Sequence, residues 1–142
     1  MSDLYDDDIV LWSERQAALL RRIAAGERVN NEVDWGNVAE EIEAVGRTER
    51  RACESHLVQA LLHDLKAEAW PLSQEVPHWR AEARHQRGEA RAAFSPSMRQ
   101  RIDMERIYHR ALEALPETID GTPPLPIQSQ MPTLDEMLSD SA

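Results

Sequence analysis

The fold is decided by one run of residues, Asp34-Trp35-Gly36-Asn37-Val38-Ala39-Glu40-Glu41-Ile42-Glu43-Ala44-Val45-Gly46-Arg47. Its apolar residues recur every three or four positions, which is the spacing of one face of an α-helix. Asp34 precedes the first of them and is a residue type that caps helix N-termini. Val33 before the cap and Val38 four residues after it form the pattern of a hydrophobic staple. The run therefore predicts the start of a long, charge-rich helix.

The same helix is predicted to continue to about residue 70. A second apolar stripe follows the first and consists of Leu57, Val58, Leu61 and Leu65. Gly46 costs about 1 kcal/mol inside a helix, so a kink is possible there. Acids and arginines four residues apart on both sides of Gly46 provide local ion pairs that favour continuity. We predict a continuous or mildly bent helix of about 35 residues, roughly 50 Å long.

Three further helices are predicted along the chain. The first spans residues 6–25, with three aspartates at its start and Gly26 as C-cap. Another spans residues 77–94, because a proline suits the first turn of a helix. The next spans residues 95–115, with a serine as N-cap and a proline in the first turn.

The C-terminal part is predicted to be an arm and a short helix. Five prolines lie within residues 116–132, and this composition predicts an extended arm without strand partners. A capping box then opens a helix over residues 133–138. No stretch has the pattern of a strand. Together these patterns predict an all-α fold in one domain, residues 1–142. It is a mainly antiparallel four-helix bundle with one long helix, the proline-rich arm and the short last helix.

The composition restricts the possible classes of function. The 142 residues carry a net charge of −10 and one cysteine, Cys53. An acidic chain should repel nucleic acids and anionic membranes. The start of the chain lacks the pattern of a secretory signal, and no run approaches the roughly 18 apolar residues of a membrane span. We expect a cytoplasmic protein that binds neither nucleic acid nor membrane.

One face of the long helix, opposite its second apolar stripe, combines polar and aromatic residues. Together with Trp79 of the next helix it forms a candidate binding face: Gln59, His63, Lys66, Trp70 and Trp79. An indole supplies contact area, a lysine attracts anions and a histidine donates or accepts a hydrogen bond. In the alternative, which we favour, a second helix or subunit covers this face and the polar tips reach solvent.

The third predicted helix carries two polar ridges. A basic ridge, suited to an anion or an acidic partner, consists of Arg80, Arg84, Arg87 and Arg91. Pairing of these arginines with acids of the same chain is the favoured alternative. Metal-ligating residue types also recur on helices two and three: His63, His78, Glu82, His85 and Glu89. Di-iron bundles use two Glu-x-x-His elements, and only one lies clearly within a helix here, so we expect no metal and no cofactor.

Several stretches of the chain resemble a known family. They are the opening run, Asp-Ile-Val-Leu-Trp at residues 8–12, Leu-Leu-His-Asp-Leu-Lys at residues 61–66, Ser-Pro-Ser at residues 95–97 and the segment 132–138. Together they resemble the bacterial domain-of-unknown-function family 29 over residues 5–138. The residues that match its motif are Asp34, Trp35, Glu40, Glu41, Glu43 and Arg47. The chain departs from the family at Asp64, where leucine is frequent. The resemblance implies an all-helical bacterial protein and brings no activity, substrate, cofactor or catalytic residue.

Two functions follow as hypotheses. The first is a non-catalytic protein-interaction module that uses the acidic surface of the long helix and the candidate binding face. The shorter helices cannot cover a helix of this length, so we expect a homodimer, and another bacterial protein is a possible partner. The alternative is a metal-dependent hydrolase built on the histidines and glutamates of helices two and three.

Overall fold

Helices dominate the structure. The computed structural model describes residues 3–139, and within them it contains six α-helices and no β-strand. The α-helices are α1 (Leu4–Asp7), α2 (Ile9–Ala24), α3 (Trp35–Ala69), α4 (Val76–Ala93), α5 (Met104–Glu113) and α6 (Leu134–Leu138). Two 3-10 helices, Asn30–Glu32 and Pro96–Gln100, complete the order of elements. The predicted all-α fold with one long helix and a short last helix is confirmed.

The long helix α3 is continuous through Gly46 over its 35 residues. A side chain added at Gly46 would meet no atom within 4 Å, so no packing requirement places a glycine there. Arg47 pairs with Glu40 at 2.8 Å and with Glu43 at 3.9 Å, which ties neighbouring turns together on both sides of the glycine. These local ion pairs offset part of the cost of the glycine.

The chain forms two compact units. The described residues up to Arg47 make up the N-terminal unit, and those from Thr48 onwards make up the C-terminal unit. In the N-terminal unit the core consists of Trp12, Val33 and Val38, with Leu19, Leu20 and Ile23 packed against it. Val33 and Val38 are buried in the same cluster, which confirms the predicted staple.

The predicted first helix is wrong at one point, because Asp8 interrupts it. Asp3 caps α1 by accepting from the Tyr5 N–H, and Asp8 caps α2 by accepting from the Leu11 N–H at 3.0 Å. The acids therefore start two helices instead of one. The predicted end is confirmed: Gly26 has a φ of +97° and its N–H donates to Ile23 O, as in a Schellman motif.

The C-terminal unit has two buried clusters. The larger one is formed by α3, α4, α5 and α6 around Cys53, Leu57 and Ile107, which are almost completely buried. The smaller one contains Trp70 and Trp79 with two alanines of α3. The second apolar stripe of the long helix thus lies in the larger cluster, as its spacing predicts.

The predicted helix over residues 95–115 is wrong in its first half. The residues after Ser95 form the 3-10 helix Pro96–Gln100, and α5 begins only at Met104. Asp103 provides the reason, because its carboxylate accepts from the Glu105 N–H at 3.0 Å and caps α5. The 3-10 helix buries Met98 in the larger cluster.

The proline-rich arm contains one tight turn and lies against the end of α3. Ile119 and Thr122 exchange two backbone hydrogen bonds, so the prediction of an arm without any strand pairing is wrong here. Asp120 and Gly121 between them have φ of 50° and 76°, the signs of a type I′ turn. The Leu125 N–H donates to Ala69 O at 2.9 Å. The predicted capping box of α6 is confirmed.

None of the helices within residues 3–139 has the length and apolar composition that crossing a membrane requires.

Candidate functional site

Asp34 joins α2 to the start of α3 in the N-terminal unit. Its carbonyl oxygen accepts the first helical hydrogen bond, from the Val38 N–H at 2.9 Å. Its carboxylate accepts from the Asn37 side-chain amide at 2.8 Å and from the Trp12 indole N–H at 3.0 Å. Its own N–H donates to the Gln16 side chain at 2.8 Å. Two residues of α2 are therefore held at the N-terminus of α3 by one aspartate.

The electrostatics at this junction favour an ionised aspartate. Hydrogen bonds from the Asn37 side chain and from Trp12 hold the pKa of Asp34 below its usual value. Trp12 is buried, so its indole N–H needs an acceptor. The Tyr5 ring packs edge-on against Trp12 with centroids 4.9 Å apart. The pKa of Tyr5 is raised to about 12, first by its hydrogen bond to Glu41.

The other residues of the family motif also have contacts within this unit. Glu40 and Glu43 pair with Arg47 along α3. Trp35 is half exposed, and its indole N–H donates to Asn30 O at 2.7 Å. The motif residues thus form a framework of hydrogen bonds and ion pairs around the α2–α3 junction.

A shallow groove of about 230 Å³ lies between α2 and α3 beside this framework. Its lining residues are mostly apolar or small: Trp12, Ser13, Gln16, Ala17, Leu20, Val38, Glu41, Ile42 and Val45. Trp12 and Val38 are buried, whereas Ile42 and Val45 are 67% and 66% exposed. The groove is therefore an apolar surface with two large aliphatic side chains directed mainly to solvent.

The predicted binding face of α3 is largely covered within the C-terminal unit. Trp70 and Trp79 are buried in the smaller cluster, and Ile119 and Ile127 of the arm pack against it. The Trp70 indole N–H donates to Thr122 O at 2.8 Å. Helix α4, through Trp79 and Val76, and the arm together cover this face, so the predicted cover by a second helix is confirmed in part and the two tryptophans are not available at the surface.

The polar members of that face are half-buried. His63 Nδ1 lies 2.7 Å from Gln59 O on the preceding turn of α3. Gln59, His63 and Lys66 all keep part of their surface in solvent. A role of this face in binding stays a prediction, and only these three residues remain accessible for it.

The arginine ridge of α4 divides into paired and solvent-facing members. Arg87 donates to the Asp64 carboxylate at 2.7 Å, and Arg91 donates to Ser139 O at 3.0 Å. Arg80 and Arg84 are exposed and make no hydrogen bond or ion pair within residues 3–139, but the charge of Arg80 helps to lower the pKa of Asp64. These two remain able to meet an acidic partner.

The residues proposed as metal ligands do not form a site in the described part of the chain. Within residues 3–139, no group of three or more His, Cys, Asp or Glu side chains is placed to hold a metal ion. Glu82 instead accepts from the Gln86 amide at 2.9 Å, and this hydrogen bond is the main cause of its lowered pKa. Gln86 in turn contacts His56 Nδ1 at 2.7 Å. His78, His85 and Glu89 are exposed.

A cleft of about 570 Å³ lies in the C-terminal unit, between residues 69–75 and residues 119–125. Its lining residues include the acids Glu75 and Asp120 and the exposed Leu72 and Leu125. Cys53 is separate from it. Burial raises the pKa of the Cys53 thiol to about 11, so this cysteine is unsuited to act as a nucleophile near neutral pH.

Several of these contacts were not predicted. Gln16, Tyr5 and Gln86 were not singled out, because a polar residue on an exposed helix position has no distinctive spacing. The indole N–H of Trp12 was the one available signal, since a tryptophan on an apolar face usually needs a hydrogen-bond acceptor when it is buried.

The comparisons with known proteins agree with this architecture. The chain matches the model of the family described as Domain of unknown function DUF29 over residues 4–141. It is similar to a crystal structure of an alpha-helical protein of unknown function from Rhodospirillum rubrum, with 25% sequence identity and a TM-score of 0.64. That similarity covers 99% of this chain and 92% of the other. No curated protein matches the chain. Because the family model covers almost every residue, the chain belongs to the family Domain of unknown function DUF29.

Proposed function

We propose that the protein is a non-catalytic protein-interaction module that binds a partner in the groove between α2 and α3. The observation that carries the proposal is the exposure of Ile42 and Val45 on the wall of an apolar groove. Contiguous apolar surface is the usual mark of a protein-protein contact. The two side chains are three residues apart and therefore lie on neighbouring turns of the same helix face.

The groove has the dimensions of a helix-binding site. It extends from Trp12 to Leu20 on α2 and from Val38 to Val45 on α3. Seven or eight residues of helix rise about 10–12 Å, so each wall is about two turns long. Two turns of an apolar-faced segment insert two or three anchor side chains into such a groove.

The framework beside the groove supports binding by keeping the walls in place. Asp34 holds Trp12 and Gln16 of α2 against the start of α3. Trp12 and Val38 form the buried floor. A groove whose walls are fixed before binding loses less conformational entropy when a partner docks.

The hydrolase alternative has less support. It requires at least three ligands around one ion, and the described residues contain no such group. Glu82 and His56 are both engaged with Gln86. The interaction module needs no further residues beyond those that line the groove.

Site-specific photo-crosslinking in cells tests the proposal. A photoreactive amino acid at Ile42 should give a discrete crosslinked protein product, because this side chain would contact the partner. The matched control is Glu43, an exposed residue of the same helix that does not line the groove. Absence of a product at Ile42, or equal products at Ile42 and Glu43, would contradict the proposal.

A further inference from the structure

We propose that the cleft of the C-terminal unit is a second binding site and that its ligand is a small organic amine, an ammonium group on an apolar body. All residues that line the cleft belong to the C-terminal unit, and none of them lines the groove. The inference therefore goes beyond the proposed function and does not depend on it.

The cleft has the size and the apolar surface of a small-molecule site. Its volume is about 570 Å³, and pockets that hold small ligands measure roughly 300–1,000 Å³. Most of its lining residues are apolar, and among them Leu72 and Leu125 are 97% and 55% exposed. A ligand with an apolar body would cover part of these side chains, and removing apolar surface from water favours binding.

The two walls of the cleft are joined by hydrogen bonds. The Trp70 indole N–H donates to Thr122 O at 2.8 Å, and the Leu125 N–H donates to Ala69 O at 2.9 Å. These contacts tie the loop after α3 to the turn of the arm. A site whose walls are held in place before binding loses less conformational entropy when a ligand enters.

The charge of the lining favours a cation. In the described part of the chain, the charged residues that line the cleft are Glu75 and Asp120, and no base lines it. Both acids are exposed, and neither side chain makes a hydrogen bond or an ion pair within residues 3–139. Trp70 also lines the cleft, and the face of an indole attracts an ammonium ion. A cleft lined by one sign of charge attracts ligands of the opposite sign, so an amine is favoured over a carboxylate.

A matched series of ligands tests the preference for a cation. Octylammonium, octyl alcohol and octanoate share one alkyl chain and differ in the charge of the head group. In proton–nitrogen correlation spectra of the full chain, octylammonium should shift the Trp70 indole N–H resonance saturably. Its dissociation constant should be at least about fivefold below that of octyl alcohol, since two exposed ion pairs contribute a few-fold each. Octanoate should bind more weakly than the alcohol. Binding in the groove is measured separately, from the Trp12 indole resonance.

Removal of the two acids should abolish the preference. Glu75→Gln combined with Asp120→Asn keeps the shape of the cleft, because asparagine tolerates the φ of 50° at position 120. This double variant should bind octylammonium and octyl alcohol with dissociation constants within about twofold of each other. Glu117→Gln is the matched control, because Glu117 is an exposed acid of the arm outside the lining. The control should keep the preference of the wild type.

A change in the apolar wall should have a different effect. Leu72→Ser should weaken octylammonium and octyl alcohol by the same factor, at least about threefold, because it removes apolar contact and no charge. The amide resonances away from the substituted residues show whether each variant keeps its fold.

The possible outcomes decide the inference. Absence of a saturable Trp70 shift with octylammonium overturns it, and so does equal binding of the three ligands. Loss of the preference in Glu117→Gln also overturns it, because the net charge of the chain and not the cleft would then select the cation. Crosslinking at Ile42 tests the groove independently, so either proposal is able to fail while the other stands.

Discussion

Replacing either member of the Asp64–Arg87 pair alone should lower the free energy of unfolding. Replacing both together should leave it nearly unchanged. The pair joins α3 to α4, with Arg87 Nη1 2.7 Å from Asp64 Oδ2. The Arg87 side chain is 17% exposed. Burial raises the pKa of Asp64 above its usual value, and this effect outweighs the opposite effects of Arg87 and Arg80.

The direction of this pKa shift determines what the pair contributes. A carboxyl group with a raised pKa in the folded state contributes stability below its unfolded value, and this contribution is lost as the pH rises through the folded value. At pH 7 the ionised Asp64 is therefore not stabilised relative to the unfolded chain. The desolvation of the carboxylate exceeds what Arg87 and Arg80 return, although the Asp64 side chain is still 37% exposed, so the pair is only partly buried.

The magnitudes follow from what each substitution leaves behind. Asp64→Leu leaves an arginine that cannot lose its proton. A fully buried orphan charge costs about 3–5 kcal/mol, and the partial exposure of Arg87 reduces this to about 2 kcal/mol. Arg87→Met leaves a carboxyl group that is able to take up a proton. This variant should therefore lose less stability, about 1 kcal/mol. The double variant removes both charges and should lie within about 0.5 kcal/mol of the wild type.

Urea unfolding at pH 7 measures these differences by linear extrapolation. A background with Trp12→Phe and Trp35→Phe leaves Trp70 and Trp79 as reporters of the C-terminal unit. Glu113→Leu is the control, because it breaks an exposed pair with His109 and should change the stability by less than about 0.5 kcal/mol. A double variant destabilised by the sum of the two single effects would refute the reasoning.

Three further predictions concern single residues. Asp34→Ala should destabilise the protein by about 1–3 kcal/mol in urea unfolding, because the buried indole N–H of Trp12 loses its acceptor; an unchanged midpoint would contradict the assigned hydrogen bond. Gly121→Ala should destabilise the protein by about 1 kcal/mol in urea unfolding because its φ is +76°, whereas Gly46→Ala should stabilise it by about 1 kcal/mol. Cys53 in the folded protein should react with iodoacetamide at pH 8 at least about 100-fold more slowly than in urea, because burial raises the pKa of its thiol. The stability that the neutral thiol contributes should be lost as the pH rises from 9 to about 11, and urea unfolding of the wild type against Cys53→Ala measures this loss.

Local signals account for the parts of the fold that were predicted from the sequence. The staple of Val33 and Val38 and the capping box at Thr133 involve residues at most five positions apart. Such contacts have a fixed spacing in the sequence, so the pattern identifies them. The break at Asp8 was missed for a related reason, since aspartates in a row are compatible with one helix start or with two.

Contacts between distant residues account for most of what was missed. The Trp70 indole meets Thr122 at a separation of 52 residues, and the Glu68 carboxylate accepts from Gln128 at a separation of 60. No periodicity links an arm to a helix face across such distances. The tryptophans of the predicted binding face were therefore recognised as packing or binding residues, but what covers them required the structure.

The same distinction bears on where the function lies. Asp34 and Glu41 of the family motif are held by Trp12 and Tyr5, so the α2–α3 junction accounts for these acids without any partner. Ile42 in the same run is not accounted for in this way, because most of its surface faces solvent. An isolated chain gains little from an aliphatic side chain in water, whereas a complex gains from burying it. Under the proposed function, the run from Asp34 to Arg47 therefore combines motif residues that build the groove with Ile42, which would contact the partner.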